Sequence, residues 1–238
     1  MTEVLNRVRA ALASEPRLDL QRFPIELSFA QGTLTLEGEV GDVAAKKLAL
    51  ERTAALPEVA VIIDRLRVQP AQRMGDGEIR DLVRDALLQE PAFADFAIRR
   101  RLGERVETVR EPPEARSAID LEVEDGVVTL NGQVPGLADK RLAGVLAWWV
   151  PGSRDVINGI AVEPPEDDSD EAILEAVRLV LEKDPFVDAS QIRVGVKNAL
   201  VRLTGLVPTE AEREMAEFDA WYVFGVDKVD NRIEVHRS

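Results

Sequence analysis

The residues best suited to chemistry in this sequence are arginines. Arg99, Arg100 and Arg101 are consecutive, and Arg105 follows closely. Guanidinium groups hold phosphates and carboxylates through paired N–H donors, so such a cluster suits an anionic head group or an acidic partner. The stretch 97–118 holds six arginines against four glutamates, a local positive excess in a chain whose formal net charge is −14. The same arginines could equally pair with the protein's own carboxylates in a solvated loop. Other chemistries lose their reagents. There is no Cys, hence no thiolate metal site, disulfide or cysteine nucleophile. The single His, His236, lies near the end and offers neither a His-based metal cluster nor a Ser-His-Asp triad. The run Glu166–Glu171 carries oxygen ligands of the kind calcium takes. It lacks the Gly and terminal Glu of an EF-hand loop, and acids also favour a helix start, so it reads as a linker and N-cap. Neither GxxxxGK[ST] nor GxGxxG occurs, and no carboxylate pair stands out as a general acid and base. No catalytic, cofactor or metal residue is expected. The acidic balance, without interleaved basic and aromatic residues, opposes nucleic-acid binding.

The elements that must position these residues follow from an internal repeat. Thr33–Val40, Val128–Val134 and Val201–Val207 share one pattern, which aligns on Gly38, Gly132 and Gly205 at offsets of 94 and 73. Features outside that alignment keep the same offsets. Ile25, Ile119 and Ile192 open the preceding apolar segment, and Asp64, Asn158 and Asn231 begin the closing one. Upstream, Ile173, Val177 and Leu181 fall at i, i+4 and i+8, as do their counterparts in the other copies, which places them on one helix face. An acidic residue and a proline end that helix at Glu15-Pro16, Glu90-Pro91 and Asp184-Pro185. Two alternating runs joined by a polar turn predict an antiparallel hairpin with one buried face. A second helix then crosses over to a third strand, parallel to the second. The expected class is α+β: three tandem α-β-β-α-β units, each a small three-stranded mixed sheet packed by two helices. Their expected limits are 1–69, 76–163 with an insertion at about 97–118, and 169–238. The strand glycines Gly38, Gly132 and Gly205 are expected to be structural, admitting a close approach by a helix crossing the sheet.

These motifs resemble the BON domain, whose pattern is helix, Pro, hairpin with (V/L)-x-L-x-G-x-V, helix, then G-V-x-x-V-x-N-x-(I/L)-x-V. The third unit matches best, at Gly225-Val-Asp-Lys-Val-Asp-Asn231-Arg-Ile-Glu-Val235. The second keeps Asn158, and the first is the most divergent, with Asp64 at that position. The resemblance implies two helices on a three-stranded mixed sheet. It also implies binding of phospholipid or other envelope components, in a bacterial stress or envelope setting.

One more feature bears on function. If Ala143, Ala147 and Val150 face the sheet, a step of about 100° per residue puts Val145 and Trp148 on the opposite face of the second unit's crossover helix. Phe218 and Trp221 fall likewise in the third unit, where the first has Glu51 and Ala54. An apolar outer stripe needs a cover: a neighbouring unit, a second copy of the chain, a protein partner or a bilayer interface. Val145, Trp148, Phe218 and Trp221 are therefore the candidate interaction surface, and Arg99, Arg100, Arg101 and Arg105 the candidate anion or lipid contact. The expected protein is a non-catalytic binding or scaffold module working by protein–protein or self-association. The alternative is a peripheral phospholipid binder using the arginines and the exposed aromatics. No window approaches the roughly 18 apolar residues of a membrane span. The first residues lack a basic stretch followed by an apolar run, so a soluble, cytoplasmic protein is expected.

Overall fold

The computed structural model describes residues 2–236. Each repeat follows the α-β-β-α-β plan. The first comprises α1 (Thr2–Ala13), β1 (Ile25–Ala30), β2 (Thr33–Val40), α2 (Val43–Ala54) and β3 (Val61–Val68). The second comprises α3 (Asp76–Gln89), β4 (Ala97–Leu102), β5 (Arg105–Arg110), β6 (Ala118–Glu124), β7 (Val127–Val134), α4 (Leu137–Trp148), β8 (Asp155–Asn158) and β9 (Ala161–Val162). The third comprises α5 (Asp170–Lys183), β10 (Ile192–Lys197), β11 (Leu200–Val207), α6 (Glu210–Tyr222) and β12 (Lys228–Val235). In each, the hairpin is antiparallel and the crossover strand parallel. Side chains cap the starts of α2 and α5: Asp42 accepts from Ala45 N at 2.7 Å, and Ser169 from Ala172 N at 3.1 Å. The apolar positions read from helical spacing are core, with Val8, Val83 and Val177 fully buried.

The insertion is not the loop expected. Its residues form the hairpin β4–β5, which lays β4 parallel to β6 and extends the second sheet to the order β5-β4-β6-β7-β8, with β9 also pairing to β7. The added strands satisfy their backbone groups in the ladder, which a long loop could not do.

The strand glycines have a different physical reason from the one expected. Gly132 and Gly205 sit at φ of +118° and +153°, opposite Ile119 and Ile192 in their hairpins. A Cβ there would meet Ala118 O at 2.1 Å and Gln191 O at 2.0 Å, so the close approach comes from the neighbouring strand's backbone and not from a helix. Gly38 has the same arrangement, with Pro24 O at 2.8 Å. Only glycine takes this backbone conformation without strain.

The asparagine of the closing motif ties the last strand to the crossover helix. Asn231 Nδ2 donates to Arg213 O at 3.0 Å while Oδ1 accepts from Ile233 N at 3.1 Å. Asn158 repeats both bonds, to Lys140 O at 2.7 Å and from Ile160 N at 3.3 Å. Asp64 keeps the second bond, from Leu66 N at 2.9 Å, but a carboxylate cannot make the first.

Two compact bodies result, Met1–Gln69 and Pro70–Ser238. The larger holds the second and third repeats together.

Candidate interaction surfaces

The expected outer stripe is an internal seam of the larger body. Leu142, Ala143, Leu146 and Ala147 of α4 join the core of the second repeat. Val145, one helix face away, joins the core of the third beside Ile173, Val177 and Ala220. A helix apolar on opposite faces is one buried between two layers. Val145 is fully buried and Trp221 is 1% exposed, so neither is open to an outside molecule. This corrects their assignment as an interaction surface: the neighbouring repeat is the cover for Val145, and Trp221 lies within the body. Trp148 and Phe218 are half-buried. Trp148 stacks on Tyr222 with centroids 5.8 Å apart, and Phe218 lies 6.5 Å from the same ring.

Polar groups frame this seam, and helical periodicity did not single them out. Arg141 on α4 is 1% exposed. Its Nε donates to Phe224 O of the third repeat at 2.9 Å, and the guanidinium also pairs with Asp168 of the linker. Lys183, at the end of α5, binds Glu90, at the end of α3, at 2.9 Å. Trp149, packed against both cores, donates its indole N–H to Asp219 Oδ1 at 2.9 Å. Asp219 is buried, and its carboxyl is pushed up to about 8, chiefly by desolvation; the Trp149 bond opposes this and Asp184 adds to it.

The acidic run behaves as linker and cap. Glu166 accepts from Leu137 N at 2.8 Å, at the start of α4, and Ser169 caps α5. Asp170 accepts from Asn198 N and Ala199 N at 2.7 and 2.9 Å, pinning the β10–β11 turn, and these bonds hold its carboxyl below the ordinary carboxylate range. Among the described residues, no group of three His, Cys, Asp or Glu could hold a metal ion.

The arginines of the hairpin divide into two sets. Arg99 pairs with Glu111 at 3.2 Å, and Arg100 with Glu107 at 2.9 Å and Asp81 at 3.3 Å. The Arg100 bond holds the Glu107 carboxyl low. Those two guanidinium groups are thus engaged within the protein. Arg110, which the sequence did not distinguish, donates to the carbonyls of Phe96 and Leu88, both at 3.2 Å, and of Phe93, and so anchors the hairpin to the end of α3. Arg101 and Arg105 are exposed at the tip, beside Leu102 and Val106, which are 37% and 46% exposed. Among the described residues, no helix is long and apolar enough to cross a membrane.

The family model of the BON domain matches residues 2–70, 94–164 and 169–237. No curated protein matches the chain. Among solved structures, the chain is similar to CdsD, a structural protein of the type III secretion system of Chlamydia trachomatis, at 15% identity and a TM-score of 0.26, covering 99% of this chain and 93% of that one. The C-terminal domain of CdsD matches at the same identity and TM-score, covering 100% of this chain and 99% of that one.

Proposed function

Because the chain belongs to the BON domain family, carried in three tandem copies, we propose that it is a non-catalytic scaffold that acts through protein–protein contact or self-association. The observation that supports this reading is Val145, a residue of the second repeat seated in the core of the third. The outer face of this module's crossover helix is thus a surface that another copy of the module can cover, and the half-buried Trp148 and Phe218 continue it toward solvent. Sedimentation of the full chain over a range of concentrations, with cross-linking in extract, tests the reading. An oligomer, or a defined protein cross-linked beside Trp148 and Phe218, is expected. A monomer at every concentration with no cross-linked protein overturns it.

A second reading has its own support. Arg101 and Arg105 flank exposed apolar groups at the tip of the β4–β5 hairpin, a combination that suits an anionic phospholipid surface. Flotation with phosphatidylserine vesicles, weakened by salt and abolished in R101E/R105E, is the expected result. Equal flotation of the variant overturns this reading.

A further inference from the structure

The first and third repeats differ at one spatially matched pair. In the first, Glu15, at the end of α1, pairs with Arg52 of α2 at 3.0 Å. The positions matching these in the third repeat are Asp184 and Asp219. The cation has become an acid, and two carboxyl groups, 6% and 1% exposed, interact where the first repeat has an ion pair. Asp184 Oδ1 already accepts from Phe186 N at 2.8 Å. Asp219 Oδ1 accepts from Trp149, while its buried Oδ2 has no donor. A proton on Asp219, donated to Asp184, satisfies that oxygen and removes the repulsion between like charges.

We propose that Asp219 holds a proton that it donates to Asp184, that this lets both carboxyl groups stay buried where Trp149 joins the second repeat to the third, and that loss of the proton in alkaline solution weakens this junction by leaving like charges buried together. The groups around the pair leave the proton without a substitute. From α5, Lys183 turns its ammonium to Glu90 of α3. From α4 the contact is Trp149, an uncharged donor. On α6 the neighbours are Trp221 and Tyr222, and Glu217 is bound to Asn231. Ahead of β10, Asp188 is exposed and bonds with Ser190.

The sign of the effect follows from linkage. The folded value of Asp219 lies near 8 against an ordinary 3.8, so the folded state holds the proton where the unfolded chain has lost it. The contribution is complete below the unfolded value, declines as pH rises, and is gone above the folded value.

The test uses the full chain. The indole Nε1–H resonance of Trp149 in ¹⁵N-labelled protein should titrate with a midpoint near 8. The unfolding equilibrium of the body containing the tryptophans should shift toward unfolding by up to about tenfold per pH unit between about 5 and 8, relative to Asp219→Asn. Asparagine places an amide donor toward Asp184 and an acceptor toward Trp149, so this variant should hold the Trp149 resonance still. Asp184→Asn supplies Asp219 with a donor and should move the wild-type midpoint to lower pH. A Trp149 resonance that does not titrate, or the same pH dependence in wild type and Asp219→Asn, overturns the proposal. An unmoved midpoint in Asp184→Asn also overturns it.

Discussion

Lys46 Nζ lies 2.9 Å from Asp64 Oδ2 and 2.9 Å from Leu66 O, almost wholly buried, in the repeat that lacks the closing asparagine. Lys46 corresponds to Lys140 and Arg213, whose backbone carbonyls receive the asparagine amide in the other two repeats. The strand-to-helix tie is thus kept by a reversed donor. In two repeats the strand side chain donates to the helix backbone; in the first, the helix side chain donates to the strand.

Breaking one partner of this pair should cost more than exchanging both. Asp64→Ala removes the carboxylate that faces a buried ammonium and is expected to destabilise the first repeat by roughly 1–3 kcal/mol. Combining Asp64→Asn with Lys46→Met restores the arrangement of the other repeats, and its cost should be well below the sum of the single changes. Urea unfolding followed by amide hydrogen exchange within residues 2–69 checks this. Strict additivity would contradict a direct coupling.

Gly205 should be far less tolerant of alanine than Gly195. At Gly205 a Cβ meets Gln191 O at 2.0 Å on a backbone at φ +153°, whereas at Gly195 it meets nothing within 4 Å. Gly205→Ala should therefore cost about 2 kcal/mol or more, and Gly195→Ala should stay within about 1 kcal/mol of wild type. The urea midpoint by tryptophan emission reports both, since all three tryptophans, Trp148, Trp149 and Trp221, lie in the body with these glycines.

The hairpin arginines should separate by role. Arg110→Ala removes three backbone contacts that hold the hairpin to Leu88 of α3 and to Phe93 and Phe96 in the segment after it, and a loss of roughly 1–3 kcal/mol is expected. R101E/R105E changes exposed side chains, and its midpoint should remain within about 0.5 kcal/mol of wild type. A large loss in the latter would mean these arginines carry structure.

Much of the architecture was legible because matching residues recur at fixed offsets. Ile25, Ile119 and Ile192 fix the first strand of each hairpin, and a strand-helix-strand connection fixes which pair runs parallel. The insertion was harder. Arg100 and Glu107 look like surface charge in sequence, and only cross-strand pairing reveals their alternation as that of a hairpin. The stripe containing Val145 was visible as apolar surface in need of a cover, but periodicity on one helix carries no information about which neighbour supplies it. Arg141 and Asp219 were missed because each is a charged residue whose burial depends on groups in another repeat or element. Comparing Asp219 with Arg52 across the repeats was the signal that could have exposed it.

The seating of Val145 also constrains how such a gene could be cut and rejoined. A recombination joint in the segment 164–169 would part Val145 and Arg141 from the third repeat, leaving one fragment with an uncovered valine and the other with a hole in its interior. A joint between Gln69 and Pro70 falls between the two bodies and divides neither, so shuffling would inherit the last two repeats as a pair.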